Sequence, residues 1–334
     1  LYHTADKYRK TLMTDTNKKK LTINDIAKLC GVGKSTVSRV LNQDPMVNEE
    51  TRKKVNSIIE KYKFTPSKSA RAMRGYSNRS FGIIVTRLDS YAENQAVSAI
   101  LPILYQNSID PIILESQFSQ AKVEENLKML AHQKIDGVIL FAFSGINAAN
   151  LASWKQKMVV IARPLEGFVS ICHDDERAVN ALMHYFHRDK HYQHISFIGI
   201  QINDETTGLL RYQTYLQYCQ QHQLISQAQL GELNYQSGYL LAKQALASKP
   251  QAILCATDSL AFGVQKYLAE QKIDHIEVAC IGRNDLLTFL FPQTKFYRLG
   301  FRESGQEAAN ILIQMLEKNI PAQKIIISSH DLNP

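Results

Sequence analysis

Four hydrogen-bonding or cationic side chains share one face of a short predicted helix near the start of the chain. They lie within the segment LTINDIAKLCGVGKSTVSRVLN, residues 21–42, and are Lys34, Ser35, Ser38 and Arg39. Hydroxyl, ammonium and guanidinium groups are what base edges and phosphates accept in the major groove of DNA. The spacing predicts a DNA-reading surface, and a plain helical hairpin with solvated polar residues is the alternative.

Apolar residues at helical spacing must position that surface. Two stripes flank Gly31: Ile23, Ile26, Ala27 and Cys30 before it, and Val37, Val40 and Leu41 after it. Thr22 and Asp25 have the spacing of a capping box at the start of the first helix. A third stripe follows Asn48 and contains Val55, Ile58, Ile59 and Tyr62. The pattern predicts a three-helix helix-turn-helix domain over residues 21–66.

The positive charge of the chain is concentrated at this end. Residues 1–80 hold 18 basic and 7 acidic residues, whereas the remainder holds 21 and 24. A basic head on a mildly acidic body favours contact with nucleic acid phosphates. A membrane surface is disfavoured because the head has no basic helix with large apolar residues on its back and no lipidation motif. Residues 1–20, with Lys18, Lys19 and Lys20, are predicted to be a disordered basic arm.

Residues 67–80 are predicted to be a hinge helix and linker. A short Ala/Arg stretch lies between Pro66 and Gly75 and is too short to persist alone as a helix. Lys68 and Arg71 are suited to meeting phosphates, and Met73 is a candidate wedge for a minor-groove base step. A flexible tether is the alternative.

Composition bounds the rest of the chain. With 334 residues, 45% of them hydrophobic, we expect at least two domains. The sequence contains no long apolar run and no signal-peptide pattern, so we expect a cytoplasmic protein.

The five cysteines are scattered, which predicts reduced core thiols. His184, His187, His191 and His194 are predicted to be a solvated helix end rather than a metal site. We found no enzyme motif and expect no catalysis, metal or cofactor.

From Phe81 onward, short apolar strands alternate with amphipathic helices. The strand candidates are FGIIVT, DPIILES, DGVILFAF, MVVIAR, HISFIGI, QAILCAT and EVACIG. This α/β pattern predicts parallel sheets in two lobes, with a ligand between them at the carboxyl ends of the strands. We expect an effector-binding and dimerisation core over 81–334, with lobes over 81–178 and 179–305 and a C-terminal segment that crosses back.

Two arginines follow predicted strands. Arg87 follows the first and Arg163 the fourth, which predicts two guanidinium groups in the cleft and an anionic ligand such as a sugar phosphate. Surface ion pairs are the alternative, Arg87 with Asp89 or Arg163 with Glu166.

A second set of residues suits the hydroxyls and rings of a sugar. Glu93, Arg211 and Asp258 supply carboxylate and guanidinium groups, and Phe141 and Phe143 supply rings. For both phenylalanines, a place in the apolar core is the alternative.

From residue 21 to about residue 330, the sequence resembles the lactose and galactose repressor family of bacterial transcription regulators. The resemblance is carried by LTINDIAKLCGVGKSTVSRVLN, TRKKV, FTPSKSARAMRG and CATDSLAFG. It implies a DNA-binding repressor that has a helix-turn-helix head and a periplasmic-binding-protein-like core and that is released from operator DNA by a small-molecule effector. It also implies a homodimer, and a tetramer is less expected because no leucine heptad ends the chain.

The resemblance assigns roles to positions of this sequence. Lys34, Ser35 and Arg39 would read bases, Thr36 and Ser38 would contact phosphates, and Met73 stands where the family usually has a leucine wedge. The segments RAMRG, IIVTRLDSYAEN, ESQFS and DGVILFAFSG are similar to the family's trehalose-responsive members. That similarity implies trehalose 6-phosphate as effector.

For the effector site, the same similarity puts Arg87 and Arg163 on the phosphate, with Ser90 nearby. Arg283 and Asn284 are carried over although most of the family has Gly-Phe-Asp-Asp at this point. The alternatives are a regulator that responds to a free sugar or a purine and, more remotely, a two-lobed solute-binding protein or enzyme.

Overall fold

The computed structural model describes residues 21–41, 44–62, 64 and 79–327. The chain divides into two compact units, residues 1–78 and residues 79–334, called here the head and the core. The predicted arm at 1–20 and the hinge residues Lys68, Arg71 and Met73 lie outside the described residues.

The head contains three helices: α1 Ile23–Cys30, α2 Lys34–Leu41 and α3 Glu49–Lys61. Thr22 and Asp25 form the capping box of α1, and Gly31 ends that helix in the left-handed region at φ +62°. Ile26, Val37 and Val55 are fully buried and join the three helices in one apolar cluster. The predicted helix-turn-helix arrangement is thus present.

The first sheet of the core has six parallel strands in the order β11-β5-β4-β3-β1-β2. The strands are β1 Arg79–Val85, β2 Ile109–Glu115, β3 Gly137–Phe141, β4 Met158–Ala162, β5 Val169–His173 and β11 Lys324–Ile327. Its helices are α4 Tyr91–Gln106, α5 Gln120–His132 and α11 Phe301–Met315, with a 3₁₀ segment at Ala148–Lys157. Strands β3 and β4 are almost wholly buried, as parallel strands covered on both faces are.

The second sheet has five parallel strands in the order β10-β9-β8-β6-β7. The strands are β6 Ile195–Ile200, β7 Gln227–Gly231, β8 Ala252–Cys255, β9 Glu277–Ile281 and β10 Lys295–Tyr297. Its α-helices are α6 Asp175–His184, α7 Arg211–Gln221, α8 Tyr235–Ala245, α9 Asp258–Glu270 and α10 Asp285–Leu290. A π-helical turn, Tyr185–Asp189, follows α6, another, Glu205–Leu210, precedes α7, and a 3₁₀ turn, Leu246–Ser248, follows α8.

The two sheets define two lobes. Lobe 1 contains residues 79–173 and 301–327, and lobe 2 contains residues 175–299. The chain therefore crosses between lobes twice in the described part, and α11 and β11 return to lobe 1. The first crossing lies before the predicted boundary at residue 178, because α6 packs in lobe 2 through Ala178 and Val179.

Several smaller features bear on the predicted chemistry. All five cysteines are buried and free. Of the four histidines that were predicted to form a solvated helix end, His184, His191 and His194 are exposed. The described residues contain no group of three or more His, Cys, Asp or Glu side chains arranged for a metal ion. Within the same ranges, no helix has the length and apolar character needed to cross a membrane.

A buried histidine lies where the chain crosses between the lobes. His173 ends β5, the centre of its ring lies 4.2 Å from that of the tilted Phe301 ring, and its Nε2 lies 3.3 Å from Ser304 Oγ. Burial lowers the pKa of His173 from 6.5 to about 4. In the unfolded chain, protonation begins near the ordinary pKa, so acid favours unfolding at this site.

We therefore expect a component of core stability that is present above pH 6.5 and lost as the pH falls toward 4. Chemical denaturation of the wild type and of His173→Gln across this range measures it. The variant should show a shallower fall in the free energy of unfolding. An identical pH dependence in the two proteins contradicts the assignment.

Candidate functional site

The exposed surface of α2 carries the residues predicted to read DNA. Lys34, Ser35 and Arg39 are exposed, whereas Thr36 and Ser38 are half-buried. The Arg39 side chain is 65% exposed, and its Nε lies 3.9 Å from Asp44 Oδ2. Because Val37 and Val40 turn the opposite side of α2 into the apolar cluster, this polar side is free to contact another molecule.

In the core, a cavity of about 390 Å³ lies between the lobes. This volume falls within the range of about 300–1,000 Å³ that is usual for small-molecule sites. The cavity is lined at the carboxyl ends of strands in both sheets, as predicted. It brings together eight of the predicted residues: Arg87, Ser90, Glu93, Phe141, Phe143, Arg211, Asp258 and Arg283.

Arg87 follows β1 and reaches across the cavity. Its Nη1 donates to the Leu233 carbonyl oxygen of lobe 2 at 3.3 Å, and its guanidinium carbon lies 5.9 Å from the centre of the Phe118 ring. Its Nε is buried and makes no hydrogen bond among the described residues, although Oδ1 of the exposed Asp89 lies 3.6 Å away as an ion-pair partner. A half-buried guanidinium with an unused Nε donor can bind an anionic ligand.

Helix α4 begins beside Arg87 and presents Ser90 and Glu93. The Ser90 hydroxyl caps α4 by accepting from the Glu93 amide at 3.3 Å. The Thr86 amide donates to Glu93 Oε2 at 2.7 Å, and the Thr86 hydroxyl donates to Glu93 Oε1. Burial raises the pKa of Glu93, and the two bonds from Thr86 oppose that rise. Glu93 is thereby held in one position at the cavity wall.

In lobe 2, Arg211 and Asp258 each have a dedicated partner. Arg211 donates to Asp175 Oδ1 from Nε at 2.7 Å and from Nη2 at 2.6 Å, and both side chains are almost completely buried. Asp258 begins α9 and accepts from Asn284 Nδ2 at 2.8 Å. Burial raises the pKa of Asp258 as well.

The cavity lining carries charged groups of both signs. Five arginines and five carboxylic acids line the cavity. Two of those acids, Glu93 and Asp258, have a raised pKa because burial makes the carboxylate costly, whereas arginine stays protonated.

An aromatic wall borders the same space. The rings of Phe118 and Phe143 meet edge to face with centres 5.7 Å apart, and Phe141 lines the cavity at the end of β3. Aromatic rings of this kind suit the apolar faces of a sugar.

Two predicted residues, Arg163 and Asn284, do not line the cavity. The Arg163 guanidinium pairs with Glu205 of lobe 2, not with Glu166, and lies beside the lining residue Ala162. Asn284 caps α10 and holds Asp258. A direct effector contact for either residue stays a prediction.

Sequence reasoning missed Thr86, Phe118, Asp175 and Glu205. The first two stand in or beside segments that carried the resemblance, but no spacing rule distinguished them from neighbouring residues. Asp175 and Glu205 meet arginines 36 and 42 positions away along the chain, so only the folded structure pairs them.

Comparison with known families identifies the class of protein. The family "Bacterial regulatory proteins, lacI family" matches residues 22–67, and the "Periplasmic binding protein-like domain" matches residues 184–332. Together with the relatives described next, these matches show that the chain belongs to the LacI family, whose members are transcription regulators rather than enzymes.

The relatives are similar over most of their length. The regulator TreR of Salmonella typhimurium is 44% identical over 93% of this chain and 98% of its own, and that of Escherichia coli is 45% identical over 92% and 98%. The structure of the Escherichia coli trehalose repressor superposes with a TM-score of 0.73 at 42% identity, covering 75% of this chain and 98% of that one. A Lac repressor dimer bound to operator, at 21% identity, shares the fold with a TM-score of 0.77 over 93% and 97%.

The buried Arg211–Asp175 pair generates a stability prediction. Asp175→Ala leaves a buried guanidinium without its carboxylate, so the free energy of unfolding of the core should fall by about 3–5 kcal/mol. Asp285→Ala, which removes the partner of the exposed Arg283, should cost less than about 1 kcal/mol. Denaturant titration of both variants measures this, and equal losses contradict it.

Proposed function

We propose that the protein represses a trehalose operon by binding operator DNA and is released by trehalose 6-phosphate. The relatives named TreR support the choice of operon, since their identity extends through both head and core. The exposed polar side of α2 supports contact with DNA bases and phosphates.

The effector assignment rests on one observation, the unused buried donor of Arg87 in a cavity between the lobes. A sugar phosphate carries about −1.5 to −2 charges at neutral pH, and planar guanidinium groups match its oxygens. The first turn of α4, which Ser90 caps beside Arg87, places a helix amino-terminus of the kind that favours phosphate at the cavity. Glu93, Arg211 and Asp258 then suit the sugar hydroxyls, and the phenylalanines suit the sugar rings.

We further propose that the working form is a homodimer in the cytoplasm, where it meets its operator. Helix α10 supports self-association, because Leu286, Phe289 and Leu290 are 58%, 81% and 53% exposed. Three neighbouring apolar side chains in water favour burial against another surface. A dimer presents two heads to the half-sites of a palindromic operator.

The route from effector to DNA passes through the lobes and the predicted hinge. An effector that binds one lobe arrangement better than another shifts the population toward it. In our proposal, residues 67–80 transmit this shift, with Lys68, Arg71 and Met73 in the operator minor groove of the repressing state.

The DNA-binding part is tested by gel shift on DNA upstream of the protein's own gene cluster. Arg39→Ala should weaken specific binding about 5- to 150-fold, because a guanidinium that reads a base contributes about 1–3 kcal/mol of discrimination. Lys61→Ala is the control, because Lys61 is a cation of the head that lies in the last turn of α3 and not on α2. Equal loss in both variants indicates general electrostatic attraction instead of base reading.

The effector part is tested by calorimetry with trehalose 6-phosphate, trehalose and glucose 6-phosphate. Arg87→Ala should raise the Kd for trehalose 6-phosphate about tenfold to hundredfold, because it removes charge-assisted hydrogen bonds to the phosphate. Lys128→Ala, an exposed cation on α5, should leave this Kd unchanged. Unchanged affinity in Arg87→Ala favours a free sugar as effector.

A further inference from the structure

An ion pair joins the two lobes at the rim of the cavity. Arg163 of lobe 1 donates from Nε to Glu205 Oε2 of lobe 2 at 3.1 Å, and its Nη2 donates to the same oxygen. Its Nη1 lies 3.5 Å from the Phe143 carbonyl oxygen. The Arg163 side chain is 19% exposed and that of Glu205 is 53% exposed, so the pair is partly open to water.

The backbone around Glu205 is held in place by hydrogen bonds and close packing. Glu205 begins the π-helical turn, in which Asp204 Oδ1 accepts from the amides of Thr206, Thr207 and Gly208. A Cβ at Gly208 would lie 2.2 Å from the Gln201 carbonyl oxygen, so the turn packs closely against the chain before it. The Glu205 amide donates to Ser144 Oγ of lobe 1 at 2.7 Å. These bonds hold Glu205 facing lobe 1.

The backbone before Arg163 is also unusual. Ala162 has φ +80°, a left-handed conformation that is unfavourable for a residue with a Cβ. Such strain persists where surrounding structure requires it, often beside a ligand site. Here it occurs at a cavity-lining residue and directs the chain into Arg163.

The neighbours of the ion pair belong to the cavity although the pair itself does not. Ala162 and Phe143 line the cavity beside Arg163, and Asp204 and Thr206 line it on either side of Glu205. A carboxylate oxygen and a phosphate oxygen make the same charge-assisted hydrogen bond to a guanidinium group. An anion that reaches Arg163 from the cavity therefore finds the guanidinium group already hydrogen-bonded to the Glu205 carboxylate.

We propose that Glu205 is a tethered internal competitor for the anionic group of the effector at Arg163. The proposal rests on the sugar-phosphate effector proposed above, and it makes Glu205 a residue that sets effector affinity. The effector anion replaces the carboxylate at the guanidinium, and Glu205 moves toward solvent. Since the broken bond connects the lobes, this exchange also couples anion binding to their arrangement.

The test compares Glu205→Gln with Glu166→Gln by calorimetry. Glutamine keeps the length of the side chain but removes the charge that opposes the anion. The Kd for trehalose 6-phosphate should fall about two- to fivefold in Glu205→Gln, the scale of a partly exposed ion pair. Binding of uncharged trehalose should not change. Glu166 is an exposed carboxylate three positions after Arg163, and Glu166→Gln should match the wild type.

A double variant shows whether the gain passes through Arg163. In an Arg163→Ala background, adding Glu205→Gln should give no further change in the Kd. Tighter binding that persists without Arg163 overturns the proposal, and so does weaker or unchanged binding in Glu205→Gln alone. Weaker or unchanged binding in Glu205→Gln would mean that the Arg163–Glu205 pair serves to close the lobes and does not compete with the effector.

A titration with inorganic phosphate separates this proposal from the choice of effector. If wild-type protein binds no trehalose 6-phosphate, the effector assignment fails. Phosphate bound more tightly by Glu205→Gln than by the wild type still supports displacement at Arg163. Equal phosphate binding in the two proteins contradicts it.

Discussion

The site depends on one constraint of parallel sheets, which place the carboxyl ends of all their strands along the same edge. The lining residues Arg87, Phe141 and Ala162 come from the ends of β1, β3 and β4 in lobe 1. Thr257, Gly282 and Arg298 come from the ends of β8, β9 and β10 in lobe 2. This shared edge is where open parallel sheets bind their ligands.

Placing many charged groups in one cavity costs free energy unless each group has a hydrogen-bonding or ion-pair partner. Arg211 has Asp175, Asp258 has Asn284, and Glu93 has Thr86, so these groups are oriented before any ligand arrives. Preorganised groups need little reordering on binding, which leaves more of the interaction energy for affinity and selectivity. Arg87 differs because part of its hydrogen-bonding capacity is unused. The cavity thus combines a fixed polar frame with a guanidinium group that keeps an unused donor.

Much of this architecture follows from patterns in the sequence. The apolar stripes of α1 and α2 and the capping box at Thr22 predicted the helices of the head. The continuous apolar runs of β3, β4 and β8 predicted the parallel sheets. Four strands went unpredicted: Val169–His173, Gln227–Gly231, Lys295–Tyr297 and Lys324–Ile327. Three of these lie at sheet edges. Gln227–Gly231 and Lys295–Tyr297 lack the long apolar run that marks a central strand, and Lys324–Ile327 has only three apolar residues. The local pair Arg87–Asp89 was one of the alternatives considered from the sequence, whereas Arg211–Asp175 and Arg163–Glu205 could not be predicted, because their partners are distant along the chain and meet only after folding.

The return of the chain to lobe 1 bears on the order in which the polypeptide acquires structure during synthesis. Lobe 2 is a continuous segment, whereas lobe 1 needs α11 and β11, which leave the ribosome after lobe 2. Because domains fold as units once their sequence is available, lobe 2 can complete its sheet while lobe 1 still exposes the flank of β5. A nascent chain that stalls before residue 324 therefore presents an unpaired strand edge, the kind of surface that chaperones must shield.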